Sequence, residues 1–340
     1  MSVASAEWVR LLESEYLADF IVSGGSAVKI AVVLPQHTEE VTGAVAGSAQ
    51  GLGYQVVRVN AAQTRVHMID QLFYAVTRQI EWDGLTDRWL RGLLSRNGIV
   101  VAEGMPLQDT EALAAFNGLL VPDLFGQINR LITNALLKDY KLCKEFRTAM
   151  TMLCRAYLNP QDVVSEDAAV IKQWLHGEKC NLTALKRLQI YQKIGRHNAR
   201  LLLNSLTVWV HKAGYCGLVV LLDINAVVTE TPPGLGLIRY ARGSVLDTYE
   251  LLREFIDDTD ETSNLLLIAT AGRGLLDDPK RNVDHYQALK LRISNDVHDK
   301  ERANPLNIMV RFDLTEPEEL SGIEELSGSE AFAETNGGVL

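Results

Sequence analysis

Only four of the 340 residues are cysteine, and Cys143, Cys154, Cys180 and Cys216 form no C-x-x-C pair. Neither a zinc finger nor a disulfide framework is therefore expected, and buried free thiols are the plain reading. No apolar run approaches the 18 or so residues that span a bilayer. The first ten residues are polar and include Glu7, so neither secretion nor membrane insertion is expected and the chain reads as cytoplasmic. Basic residues are outnumbered, 33 Lys and Arg against 43 Asp and Glu, for a net charge of −10. That balance excludes a globally basic nucleic-acid binder, because non-specific affinity comes from cations meeting phosphates. A local basic face remains compatible with it. Also missing are any H-E-x-x-H or G-x-S-x-G spacing, which removes the commonest zinc-protease and serine-hydrolase signatures.

What is present is a succession of short apolar strands and helices. Trp8, Leu11, Leu12 and Tyr16 stand at helical spacing ahead of the Gly24-Gly25 pair. Residues 28–34 (VKIAVVL) make a β-branched run suited to a strand buried on both faces, and Pro35 ends it. Thr38 is placed to cap a helix from 39 to about 52, with Glu39 and Glu40 at the positive end of its dipole, and Gly53 to stop it. Residues 54–59 (YQVVRV) follow as a second strand, completing a βαβ unit. A helix over 66–80 comes next.

Residues 82–198 read as a helical insertion, with candidate helices at 111–120, 131–137, 146–157 and 170–175. An apolar helix over 199–212 leads to the clearest strand, 218–223 (LVVLLD). A helix over 244–257, a strand over 265–269 (LLLIA), a helix over 286–297 and a strand over 307–312 complete the pattern. The expected organisation is a first half of an α/β core in 1–81, the insertion in 82–198, the second half in 199–314, and a Glu-rich tail in 315–340. The tail has too little apolar surface to offset its ordering entropy, so it is expected to be mobile or ordered by a partner. Strands alternating with helices imply a mainly parallel sheet covered on both faces.

An apolar strand ending in aspartate, as 218–223 does, is what a Walker B element requires: a rigid strand holding a carboxylate at the sheet's carboxyl edge, within reach of Mg²⁺. The same Asp223 equally suits a turn-forming aspartate. The next residue is Ile224, where active ATPases of this kind place a glutamate to orient water. No G-x-x-x-x-G-K-[ST] phosphate loop occurs. Between the first strand and its helix the sequence is Leu34-Pro35-Gln36-His37-Thr38, without glycine or lysine.

Gln36, His37 and Thr38 are the candidate remnants of a nucleotide loop, Thr38 serving as a hydroxyl for Mg²⁺ or as an ordinary N-cap. Lys29 after Ser23-Gly24-Gly25-Ser26 imitates a phosphate loop, but the strand begins there instead of ending. Thr270 stands either where a γ-phosphate sensor sits or simply in a turn. Arg239, Arg242, Arg292 and Arg302 are candidate interface arginines or solvated ones. Lys138 to Lys144 and Lys186 to Lys193 are modestly basic stretches.

Three segments, 213–223 (AGYCGLVVLLD), 249–257 (YELLREFID) and 275–281 (LLDDPKR), together with Tyr286-Gln287-Ala288-Leu289 and Ala303-Asn304-Pro305-Leu306, resemble the ATP-binding proteins of BREX phage-defence systems, the BrxD group. Gly24 to Lys29 and Gly53-Tyr54 are similar to that family's approaches to its first two strands. The resemblance implies a P-loop ATPase (AAA-like) core with an inserted helical subdomain, and defence-system partners. The lost phosphate loop and Ile224 turn this into the expectation of a pseudo-ATPase: no resident cofactor, ATP with Mg²⁺ being the one the family would bring, and assembly with an active ATPase paralogue, DNA or other defence proteins, in an oligomer. The alternatives are a DNA-binding or DNA-sensing module on the same fold, a weak residual ATPase, and a scaffold whose acidic tail docks a basic partner.

Overall fold

The computed structural model describes residues 4–159, 164–232, 234, 236–294 and 304–312. The acidic tail, Arg302 and the end of the helix expected over 286–297 lie outside them. Five parallel strands form one sheet: β1 (Ser26–Val32), β2 (Gln55–Asn60), β3 (Leu218–Asp223), β4 (Leu265–Ala271) and β5 (Met309–Arg311), in the order β2-β3-β4-β1-β5. All seven residues of β1 and of β4 are buried, which is why their sequences run apolar without alternation.

The helices are α1 (Ser5–Leu12), α2 (Thr38–Gly51), α3 (Ile69–Thr77), α4 (Trp82–Arg96), α5 (Thr110–Phe116), α6 (Val121–Leu136), α7 (Lys144–Leu158), α8 (Val164–Leu175), α9 (Leu182–Arg187), α10 (Ala199–Lys212), α11 (Asn225–Val228), α12 (Arg242–Asp257), α13 (Gly274–Asp277) and α14 (Gln287–Ser294). Strand alternation divides the core. Val28, Ile30, Val220, Leu222, Leu267 and Ala269 point into a large cluster shared with α3, α4, α6, α7, α10, α12 and α14. Ala31, Val33, Val219, Leu221, Leu266 and Ile268 point into a smaller cluster shared with α1 and α2. Each fully buried aliphatic side chain contributes about 1.5–3 kcal/mol, and both faces of the sheet contribute such side chains to the core alongside the helices.

The connection β1-α2-β2 passes over the smaller cluster, whereas the connections through α10, α12 and α14 pass over the larger one. The chain therefore leaves the neighbouring strands β1 and β4 toward opposite faces. A crevice at their carboxyl ends is the place where open α/β sheets put ligands.

Several boundaries move from the sequence expectation. β4 runs on through Ala271 because it stays in register with β1 up to the pair Val32 and Ala271, so Thr270 is a strand residue and not a turn residue. Thr38 is the first residue of α2; the N-cap is His37, and no side chain caps this end. The Thr38 hydroxyl points back to the Leu34 carbonyl, 3.4 Å away. Of the cysteines only Cys154 is buried; Cys143, Cys180 and Cys216 are partly exposed, and all four are free.

Candidate functional site at the carboxyl edge of the sheet

Parallel register places Ala31, Thr270, Asp223 and Asn60 side by side across β1, β4, β3 and β2. Alternation turns this row toward the α2 layer, directly below the loop that follows β1. Thr270 is fully buried, its backbone carbonyl accepts from Ile224 N at 2.9 Å, and its hydroxyl has no partner among the described residues. Asp223 is half-buried and already engaged. Its Oδ1 accepts from the backbone N–H and the side-chain amide of Asn225, each at 2.8 Å. Its Oδ2 accepts from Asn60 Nδ2 at 3.2 Å. The first of these bonds closes an Asx turn that starts α11.

Pro35 to His37 form a single exposed 3₁₀ turn leading into α2. Pro35 lies against the far side of the crevice: a Cβ on Gly272 would come within 3.7 Å of Pro35 Cγ and 3.0 Å of Asn225 Oδ1. Gly272 thus lets the loops after β1, β3 and β4 close on one another. At the positive end of α2, Glu39 pairs with Arg58 of β2 at 2.6 Å, and Glu40 lies 3.3 Å from His37 Nδ1. Carboxylates belonging to the protein therefore occupy the end of the helix dipole that would attract an anion. Ile224, where a water-orienting glutamate would stand, is fully buried in the larger cluster.

The structure thus brings Asp223, Thr270 and the loop carrying Gln36, His37 and Thr38 to one edge. It adds Asn60 and Asn225, which the sequence reading did not single out; a D-x-N spacing after a strand was the one signal for Asn225. The interface candidates separate. Arg292 is bound to Asp257, with Nε–Oδ1 at 2.9 Å and Nη2–Oδ2 at 3.2 Å, and belongs to a network in which Arg253 holds both Glu250 and Asp257. Arg239 and Arg242 are exposed and have no ion-pair partner among the described residues. Among the described residues no group of three or more His, Cys, Asp and Glu side chains is disposed to hold a metal, and no helix is long and apolar enough to cross a membrane.

A family model described as BREX system ATP-binding protein BrxC/D matches residues 121–326, more than half of the chain. The chain belongs to the BrxC/D family. No curated protein and no solved structure matches it. BrxC/D membership gives it a place in a phage-defence system, with other defence proteins as partners. The matched span begins at α6 and includes Asp223, Asn225, Thr270 and the arginines, but not β1, the Pro35–His37 turn or Asn60. The family match thus covers the strand that ends in Asp223 and leaves the loop that follows β1 outside.

Proposed function

We propose that this BrxC/D protein is a cytoplasmic, non-hydrolysing ATPase-like subunit that serves the defence system by assembling with an active ATPase paralogue and other defence proteins. The strand order, with β1 between β4 and β5 and the β1 loop above Asp223 and Thr270, is compatible with a P-loop, AAA-like core. The observation that carries the reading is the engagement of Asp223: both carboxylate oxygens already accept from side chains or backbone of this chain.

The residues at this edge do not fit a triphosphate with its Mg²⁺. The loop offers neither glycine nor lysine, Pro35 lacks an N–H, and Glu39 and Glu40 repel phosphate at the helix end that would have to receive it. Thr270 keeps the sensor position, and its unpartnered hydroxyl is the one feature that still suits a ligand. Calorimetry with ATP and Mg²⁺, run beside a sensitive hydrolysis assay, tests the reading. No turnover is expected, and a co-purified defence ATPase should retain the chain on size-exclusion chromatography without added nucleotide. Hydrolysis abolished by Asp223→Ala would overturn it.

A further inference from the structure

Between α9 and α10, residues 188–198 form neither helix nor strand, yet their course is fixed from inside. Ile190 and Ile194 are buried, at 1% and 6% exposure. Trp174 Nε1 donates to the Gln192 carbonyl at 3.0 Å, and the Tyr74 hydroxyl donates to the Ile194 carbonyl at 2.8 Å. Asn198 ties off the end, accepting from Gly195 N at 2.9 Å and donating to the Lys193 carbonyl at 3.1 Å. What this strap presents outward is an aromatic ring, Tyr191 at 62% exposure, and the exposed bases Lys193, Arg196 and His197.

Arg196 shares its neighbourhood with Arg65, from the turn after β2. Burial pushes the His67 imidazole below its ordinary pKa, and both guanidinium charges act on that ring in the same direction, against Asp247 and Asp70. His67 packs edge-on against Tyr240, with ring centroids 5.6 Å apart. Tyr240 is anchored by its hydroxyl to the carbonyls of Ala61 and Thr64, at 2.9 and 2.6 Å. Arg239 and Arg242 flank it in the chain. Arg65, Lys193, Arg196, Arg239 and Arg242 are all exposed and have no ion-pair partner among the described residues. Elsewhere in the chain many bases are neutralised: Arg187 by Asp167, Lys212 by Asp139, Lys172 by Asp83 and Lys290 by Asp284. Arg187 and Asp139 lie within or beside the two basic stretches read from the sequence.

A cluster of unpaired bases on a chain of net charge −10 is a local field for a polyanion. A rigidly mounted, exposed tyrosine beside it supplies a stacking platform. We propose that this face binds single-stranded nucleic acid, with phosphates on the arginines and Lys193 and a base on Tyr191. A duplex keeps its bases stacked on one another and leaves the ring without a use, so the single strand is the fitting form. The surface is distinct from the Asp223 row, and its test does not depend on nucleotide binding there.

Fluorescence anisotropy of a fluorescein-labelled oligothymidylate with the full chain, repeated over a salt series and against a duplex of equal length, tests this. Five contacted phosphates give a log–log salt slope of about −3.5, an affinity loss of about 130-fold between about 50 and 200 mM salt. Tyr191→Ala should weaken single-strand binding by about five- to 150-fold while leaving the salt slope unchanged. Arg65→Glu with Arg196→Glu should abolish binding; circular dichroism checks that these exposed substitutions leave the fold intact. Absence of binding at low salt, equal affinity for duplex with Tyr191→Ala silent, or binding lost only in Lys138→Glu with Lys141→Glu would each overturn the proposal.

Discussion

Replacing Asp223 by alanine distinguishes a turn-forming carboxylate from a metal ligand kept in readiness. As a turn residue, Asp223 accepts two bonds of 2.8 Å from Asn225 and one of 3.2 Å from Asn60. At about 1 kcal/mol net for each of the two short bonds in a half-exposed setting, and little for the longer one, alanine should cost about 2 kcal/mol. Unfolding entropy near 2.1 cal/mol/K per residue gives a chain of 340 residues about 0.7 kcal/mol/K, so the midpoint should fall by about 3 °C. Asp223→Asn keeps an acceptor at Oδ1 and should fall by less than half as much. Differential scanning calorimetry or fluorimetry, with and without ATP and Mg²⁺, reads the result. A midpoint unchanged or raised by alanine would refute the turn assignment, because a carboxylate held for a metal is relieved of its cost when removed. Stabilisation of the wild type by Mg²⁺ and ATP, absent in Asp223→Ala, would refute it equally.

Two further outcomes follow from local chemistry. Hydrogen bonds from Arg253, then from Tyr286, hold the Glu250 carboxyl at a pKa of about 2, against an ordinary 4.5. Its contribution to stability is therefore complete above pH 4.5 and lost as pH falls toward 2; Glu250→Gln should lower stability most at neutral pH, flatten that part of the acid-unfolding profile, and approach wild type near pH 2. Ile224→Glu places a carboxylate at a fully buried position of the larger cluster, and should cost about 3–5 kcal/mol, some 4–7 °C in the midpoint, without creating ATP turnover. A soluble variant of wild-type stability would contradict the burial of that side chain.

The sheet was largely legible because β3 and β4 are unbroken runs of Leu, Val and Ile between clear breakers, such as Gly217 and the helix-starting residues beyond Asp223. Strand ends were less so, since pairing sets them: Ser26 joins β1 because Leu265 lies opposite it, and Thr270 joins β4 because Ala31 does. Helix α4 buries Trp82, Leu85, Thr86, Trp89, Leu90, Leu93 and Leu94 at helical spacing, a stripe obscured in the sequence by Gly84 and Gly92. Helix α6 starts at Val121, ten residues ahead of the expected 131, because Pro122 falls in its first turn, where the missing N–H costs nothing. At the site, Asp223 could be read from the end of an apolar strand. Asn60, 163 positions away in the chain, meets it only through the β2-β3 register.

The two departures from an active ATPase differ in physical character. The Pro35–His37 turn is exposed and follows Leu34, the last buried residue of the segment that leaves β1. Substitutions there leave the core untouched, so glycine and lysine could be introduced with little effect on folding. Ile224 is different, because it has been absorbed into the larger cluster beside Val227 and Val228. Burying an isoleucine adds about 1.5–3 kcal/mol, whereas a glutamate in the same place must either protonate or reorganise the start of α11. Restoring the loop alone would therefore leave a site without its water-orienting carboxylate, and restoring the carboxylate would oppose the core. The packing of Ile224 is thus a physical argument in favour of the proposed non-hydrolysing role, and it places the resistance to a carboxylate in the core and not in the exposed loop.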